Sequence, residues 1–110
     1  MQAQELKKRI DGIEDVVDQA KNALQSGNVP QQLREKVEAL HQQARQVKHS
    51  GTQDENALKQ SLLQLEKTAD QAKDALKQAG NVDPKLQQAV QRAHDELSQL
   101  KKQVEAGSPA

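Results

Sequence analysis

The chain has 110 residues, with sixteen basic and sixteen acidic side chains and neither cysteine nor aromatic residues. Lack of cysteine excludes disulfides, thiolate nucleophiles and cysteine-ligated metals, and lack of aromatic rings removes the stacking surfaces that bind single-stranded nucleic acid. Balanced charge gives no overall attraction to phosphate backbones, and no apolar run reaches the roughly 20 residues of a membrane span. We expect a soluble protein without nucleic-acid or membrane partners, either cytoplasmic or periplasmic with its signal already removed.

Four segments carry apolar residues at alternating steps of three and four, which is typical of helices that pack along a seam. The first seam is Leu6, Ile10, Ile13, Val17, Ala20 and Leu24, and the second is Leu33, Val37, Leu40, Ala44 and Val47. The third is Leu58, Leu62, Leu65, Ala69, Ala72, Leu76 and Ala79, and the fourth is Leu86, Val90, Ala93, Leu97, Leu100 and Val104. The pattern predicts four amphipathic helices.

Glycines and prolines between the seams predict where the helices end and begin. The predicted closing residues are Gly27, Gly51 and Gly80, and the predicted opening residues are Pro30, Thr52 and Pro84. Asp83 is a predicted N-cap before the fourth helix, and Thr52 with Glu55 has the spacing of a capping box before the third. Residues 107–110 are predicted to form a disordered tail.

The two halves of the chain resemble each other. Residues 18–24 recur with one change as residues 70–76, and His41 recurs as His94. Such landmarks predict internal repeats at about 5–50 and 57–104 within a single domain covering residues 1–110. The short turns favour antiparallel neighbours. The predicted fold is therefore an all-α antiparallel up-down-up-down four-helix bundle made of two duplicated helical hairpins.

Each predicted hairpin carries two carboxylates and one imidazole beside its seam. Counting back from the turn puts Val17 level with Leu40, and we expect Glu14 opposite His41, with Asp18 one turn along. The second hairpin repeats the set as Glu66, Asp70 and His94. Mixed carboxylate and imidazole ligands suit zinc, copper or nickel, whereas the simpler interpretation is an ion pair in each groove with no bound ion.

Enzymatic activity is not predicted. The serines lie outside any nucleophile elbow and the glycines are isolated, so no catalytic or cofactor-binding residue is assigned. A thin bundle is also expected to leave little room for a pocket of about 300 Å³ or more.

Three functions agree with these features. The first is a non-catalytic structural or protein-interaction module, contacting another protein or a second copy through its helix faces. The acidic stripe of Asp11, Glu14, Asp15 and Asp18 would be one such face, although it also has Arg45 and Lys48 as expected partners on the neighbouring helix. The second is a metal-binding or metal-buffering protein with one site per hairpin. The third is a designed or idealised bundle without biological activity.

Overall fold

The computed structural model describes residues 2–26, 29–51 and 54–106. The helices are α1 (Ala3–Ala23), α2 (Gln31–Ser50), α3 (Glu55–Ala79) and α4 (Pro84–Ala106), and a 3-10 turn at Leu24–Ser26 follows α1. The protein is thus an all-α four-helix bundle, as the seams predict. None of the helices in these ranges is long and apolar enough to cross a membrane.

Each helix packs mainly against two others, which gives a closed ring in the order α1, α2, α3, α4. Contacts between α1 and α2 connect opposite ends of the two helices. Lys7 Nζ donates to the carbonyl of Lys48 at 3.2 Å, and Arg34 donates to the carbonyl of Leu24 at 3.3 Å. Because the start of α1 contacts the end of α2 and the end of α1 contacts the start of α2, these two helices are antiparallel. Duplication of the hairpin stays a prediction from the sequence.

The core contains the predicted seams. Every seam residue is buried except Ala79, which is half-buried at the end of α3. The structure also buries residues outside the seams: Glu14, Val16, His41, Thr68, Ala75 and Ala89. A helix that packs against two neighbours buries a stripe wider than two positions per heptad, so the flanks of the seam join the core.

The core consists of two unequal clusters along the bundle axis. One, the aliphatic half, contains large side chains such as Ile10, Leu62 and Leu97. The other, the alanine-rich half, lies where α1 and α3 end and α2 and α4 begin, and four of its ten described buried residues are alanine. Fewer methylene groups are therefore packed between the helices at that end.

Two of the predicted closing glycines end helices. Gly51 follows α2 with φ of 66° and Gly80 follows α3 with φ of 78°, in the region of backbone space that side chains with a Cβ disfavour. Gly27 and the predicted disordered tail at 107–110 lie outside the described residues. The ends of α2 and α3 predicted from these two glycines are therefore confirmed.

Side-chain caps fix the beginnings of α3 and α4. Asp83 accepts from the backbone amide two residues later at 2.9 Å, and Pro84 is the first residue of α4, as predicted. Asp54 caps α3 in the same way at 3.0 Å, whereas the predicted cap, Thr52, lies outside the described residues. Pro30 immediately precedes α2 rather than opening it.

Candidate metal centre

The histidines pair with aspartates, not with glutamates. His41 Nε2 lies 2.7 Å from Asp18 Oδ1, and in the second hairpin His94 Nε2 is bonded to Asp70 Oδ1. Within the described ranges no ion pair joins a histidine to a glutamate. The predicted contact of Glu14 with His41 is therefore wrong, and so is the corresponding contact of Glu66 with His94.

The direction of helical side chains explains this difference. The predicted register puts Val17 level with Leu40, so Asp18 and His41 each lie one residue beyond that level. A helical side chain leans towards the N-terminus of its own helix, and in antiparallel neighbours two such side chains lean towards each other. Asp18 and His41 consequently meet across the groove between α1 and α2.

Lysines at the far ends of α2 and α4 take the positions expected for the histidines. Lys48 Nζ lies 3.8 Å from Glu14 Oε2, which is within ion-pair range but beyond a hydrogen bond. Lys101 Nζ donates to Glu66 Oε1 at 3.2 Å. The two glutamates therefore have the same kind of partner at different distances.

Glu14 is the most deeply buried acidic side chain in the described part of the chain. Its side chain is 5% exposed, and Oε2 has no hydrogen-bond partner. Burial raises the pKa of the Glu14 carboxyl above its ordinary value, and a hydrogen bond with Asp18 and the charges of Asp18 and Asp15 raise it further. The positive charge of the Lys48 ammonium lowers that pKa.

Three carboxylates of α1 form a compact acidic cluster. One oxygen each from Glu14, Asp15 and Asp18 lies within 4.8 Å of the others. Asp18 connects this cluster to His41 through their 2.7 Å contact. Bonds of about 2.0–2.2 Å place neighbouring ligand atoms of a tetrahedral zinc ion about 3.4 Å apart, so a shared ion requires that contact to open by roughly 0.7 Å.

The second hairpin does not assemble an equivalent cluster. Among the described residues, only the α1 cluster brings three acidic or imidazole ligands together. Glu66 is held by Lys101, and the Nδ1 atom of His94 lies 3.4 Å from Asp95 Oδ1. Of the two predicted ligand sets, the structure thus brings together Glu14 and Asp18, with His41 attached to Asp18.

Sequence reasoning did not include Asp15 among the metal ligands. The signal was present, because Asp15 lies three residues before Asp18 and next to Glu14, and residues three or four apart share a helix face. Asp15 was interpreted only as part of the acidic stripe. The heptad pattern does not predict the burial of Glu14, because it shows only that this residue lies beside the seam.

Cavities lie on the other flank of α1, in the groove between α1 and α4. One has a volume of about 470 Å³, and a neighbouring one of about 360 Å³ shares Gln19 and Arg92 with it. The prediction that the bundle has little room for such cavities is therefore wrong. Small residues such as Gly12, Ala23 and Ala89 line these cavities and leave the space between the helices open.

Comparison with known proteins adds no relative. No protein-family model, curated protein or solved structure matches the chain.

Proposed function

We propose that the chain is a non-catalytic helical bundle that binds a divalent transition-metal ion in the groove between α1 and α2. Glu14 and Asp18 supply carboxylate oxygens, His41 supplies Nε2, and Asp15 adds negative charge beside them. The observation that carries the proposal is the Glu14 Oε2 atom, which is buried without a hydrogen-bond partner. A bound cation would satisfy this oxygen.

Free energy favours this assignment. A buried carboxylate oxygen without a partner loses its hydration, at a cost of about 1–3 kcal/mol or more for a charged group. Asp15 and Asp18 add repulsion, because their oxygens lie within 4.8 Å of one another and of Glu14. A divalent ion between the carboxylates would replace both penalties with attraction, and it would reduce the negative charge of the cluster from three to one.

The ligand set favours zinc, copper or nickel over magnesium or calcium. Imidazole nitrogen binds the transition metals well, whereas magnesium and calcium prefer oxygen ligands. Affinity at a given site of this kind rises towards copper along the first transition series, and copper is expected to bind more tightly than zinc or nickel. Water would complete the coordination, since three protein ligands leave a position open.

Calorimetric titration with zinc and copper tests the proposal. We expect His41→Ala to weaken binding at least tenfold, whereas His49→Ala is the matched control, because His49 is an exposed histidine on the same helix outside the cluster. Circular dichroism of each variant checks that the helices are retained. Identical titrations of wild type and His41→Ala would rule out this site.

Protein interaction is the second candidate function, and the cavities between α1 and α4 favour it. Their lining includes the basic residues Lys8, Arg9, Lys85 and Arg92 and the acidic residues Asp15 and Glu96. The excess of positive charge over small, partly apolar surfaces suits an acidic segment of another protein.

Titration with a glutamate-rich helical peptide tests this second function by fluorescence anisotropy. Arg92→Glu is expected to weaken binding, and Arg45→Glu, on the exposed surface of α2, is the control for the change in overall charge. Equal binding by the two variants would argue against a role for the groove. Sedimentation at several concentrations separately tests whether the chain associates with itself.

A further inference from the structure

The two hairpins present the same three side chains in different electrostatic surroundings. In the first, Lys48 Nζ lies 3.8 Å from Glu14 Oε2, and this oxygen accepts no hydrogen bond. In the second, Lys101 Nζ donates a hydrogen bond of 3.2 Å to Glu66. Glu14 therefore has an oxygen without a hydrogen bond, whereas an ammonium group already donates to Glu66 Oε1.

Lys101 forms a hydrogen-bonded ion pair with this glutamate. Its Nζ atom lies 3.2 Å from Glu66 Oε1, close enough for a charge-assisted hydrogen bond. An ammonium that is stabilised in its charged form opposes the approach of a second cation to the same carboxylate.

A sequence difference in α1 and α3 acts in the same direction. Asp15 follows Glu14 in the first hairpin, whereas Lys67 follows Glu66 in the second. Glu14 therefore has an aspartate next to it in the sequence, whereas Glu66 has a lysine there and the Lys101 ammonium within hydrogen-bond distance. The positive charge nearest to Glu66 is thus closer and better bonded than that nearest to Glu14, which makes Glu66 the weaker ligand for a divalent ion.

We propose that Lys101 is the built-in cation of the second hairpin, that it excludes a metal ion from Glu66, Asp70 and His94, and that the chain consequently binds one divalent ion rather than two. This inference rests on the proposed metal-binding function of the first hairpin. The sequence predicts one metal site per hairpin. Under this inference only the site of the first hairpin binds metal, and the Lys101–Glu66 ion pair blocks the site of the second.

Two substitutions should open the closed site. Lys101→Met keeps the length of the side chain but removes the ammonium from Glu66. Lys67→Asp, at an exposed position, restores the third carboxylate that the first hairpin has. The matched control is Lys48→Met in the first hairpin, which should tighten binding there without adding a site.

Native mass spectrometry and calorimetry with zinc measure the number of ions per chain. At a zinc concentration that just saturates the wild type, we expect one ion for wild type, His94→Ala and Lys48→Met, and two for the double variant Lys67→Asp/Lys101→Met. At that concentration His41→Ala, with its at least tenfold weaker binding, should be mostly free of zinc. Circular dichroism of every variant confirms that the helices are present before the ions are counted.

The possible outcomes distinguish a failure of this inference from a failure of the proposed metal-binding function. No zinc on wild type would overturn the proposed function and the inference together. Two ions on wild type, or loss of the single ion in His94→Ala instead of His41→Ala, would overturn the inference while metal binding stands. A folded double variant that still binds one ion would show that Lys101 does not close the second site.

Discussion

Burial and a neighbouring aspartate act on Glu14 in the same direction, and both disfavour its charged form. Glu66, at the same place in the second hairpin, has instead the hydrogen bond from Lys101. One carboxylate is therefore expected to reduce the stability of the metal-free protein at neutral pH, and the other to add to it.

Glutamine at the two positions tests this difference. Glu14→Gln removes a buried charge and should raise the free energy of unfolding at pH 7 by about 0.5–1.5 kcal/mol. Glu66→Gln removes a partly exposed ion pair and should lower it by less than about 1 kcal/mol. Urea unfolding of both variants without metal provides the measurement, and changes of the same sign would contradict the proposed difference.

The effect of Glu14→Gln should depend on pH. Because folding raises the pKa of Glu14 above its ordinary value of 4.5, the native state binds the proton more tightly than the unfolded state. The penalty is absent below the unfolded pKa and grows as pH rises through the folded pKa. The stability advantage of Glu14→Gln over wild type should thus disappear at acidic pH, and a constant advantage from pH 4 to pH 7 would exclude burial as its cause.

The sequence predicts which charged side chains lie beside the seam better than it predicts their contacts. Asp18 and His41 were both identified, but the lean of side chains decides which carboxylate meets the imidazole, and heptad letters do not encode this lean. The burial of Glu14 depends on how closely α2 packs against α1. Packing distance is a property of the assembled bundle, not of one helix.

The elements themselves follow the apolar pattern closely. The spacing of the apolar residues determines which face of a helix is buried, and the position of a glycine determines where the helix ends. Both signals can be read from neighbouring residues of the sequence. The flanking positions are less predictable, because their burial depends on the second neighbour of each helix. Val16 and Thr68 illustrate this, since both are buried outside the predicted seams.

Gly12 offers a test of helix propensity in α1. A Cβ at this position would have no atom within 4 Å, so alanine fits without strain. Gly12→Ala should stabilise the protein by about 1 kcal/mol and raise Tm by roughly 4–8 °C. The control is Gly51→Ala, which should lower Tm because the φ of 66° strains a residue with a Cβ. A thermal melt in which Gly12→Ala lowers Tm would mean that the glycine serves the groove between α1 and α4.

The whole molecule depends on both hairpins, because α1 packs against α4 as well as against α2. A single hairpin leaves half of its apolar stripe in water, and two-helix units of this size are marginal on their own. We expect a peptide of residues 1–51 to show weak helical circular dichroism at low micromolar concentration, and addition of residues 52–110 to restore it. A cooperative thermal transition of the dilute 1–51 peptide alone would contradict this expectation.

The uneven core has a consequence for how the bundle opens. Amide protons exchange with deuterium through local unfolding, which needs less free energy where fewer apolar contacts must be broken. The amides of Ala20 and Ala72, in the alanine-rich half, should therefore exchange faster than those of Ile10 and Leu62. The bundle would then open first at one end, while the helical segments around Ile10 and Leu62 remain closed until the rest of the core unfolds.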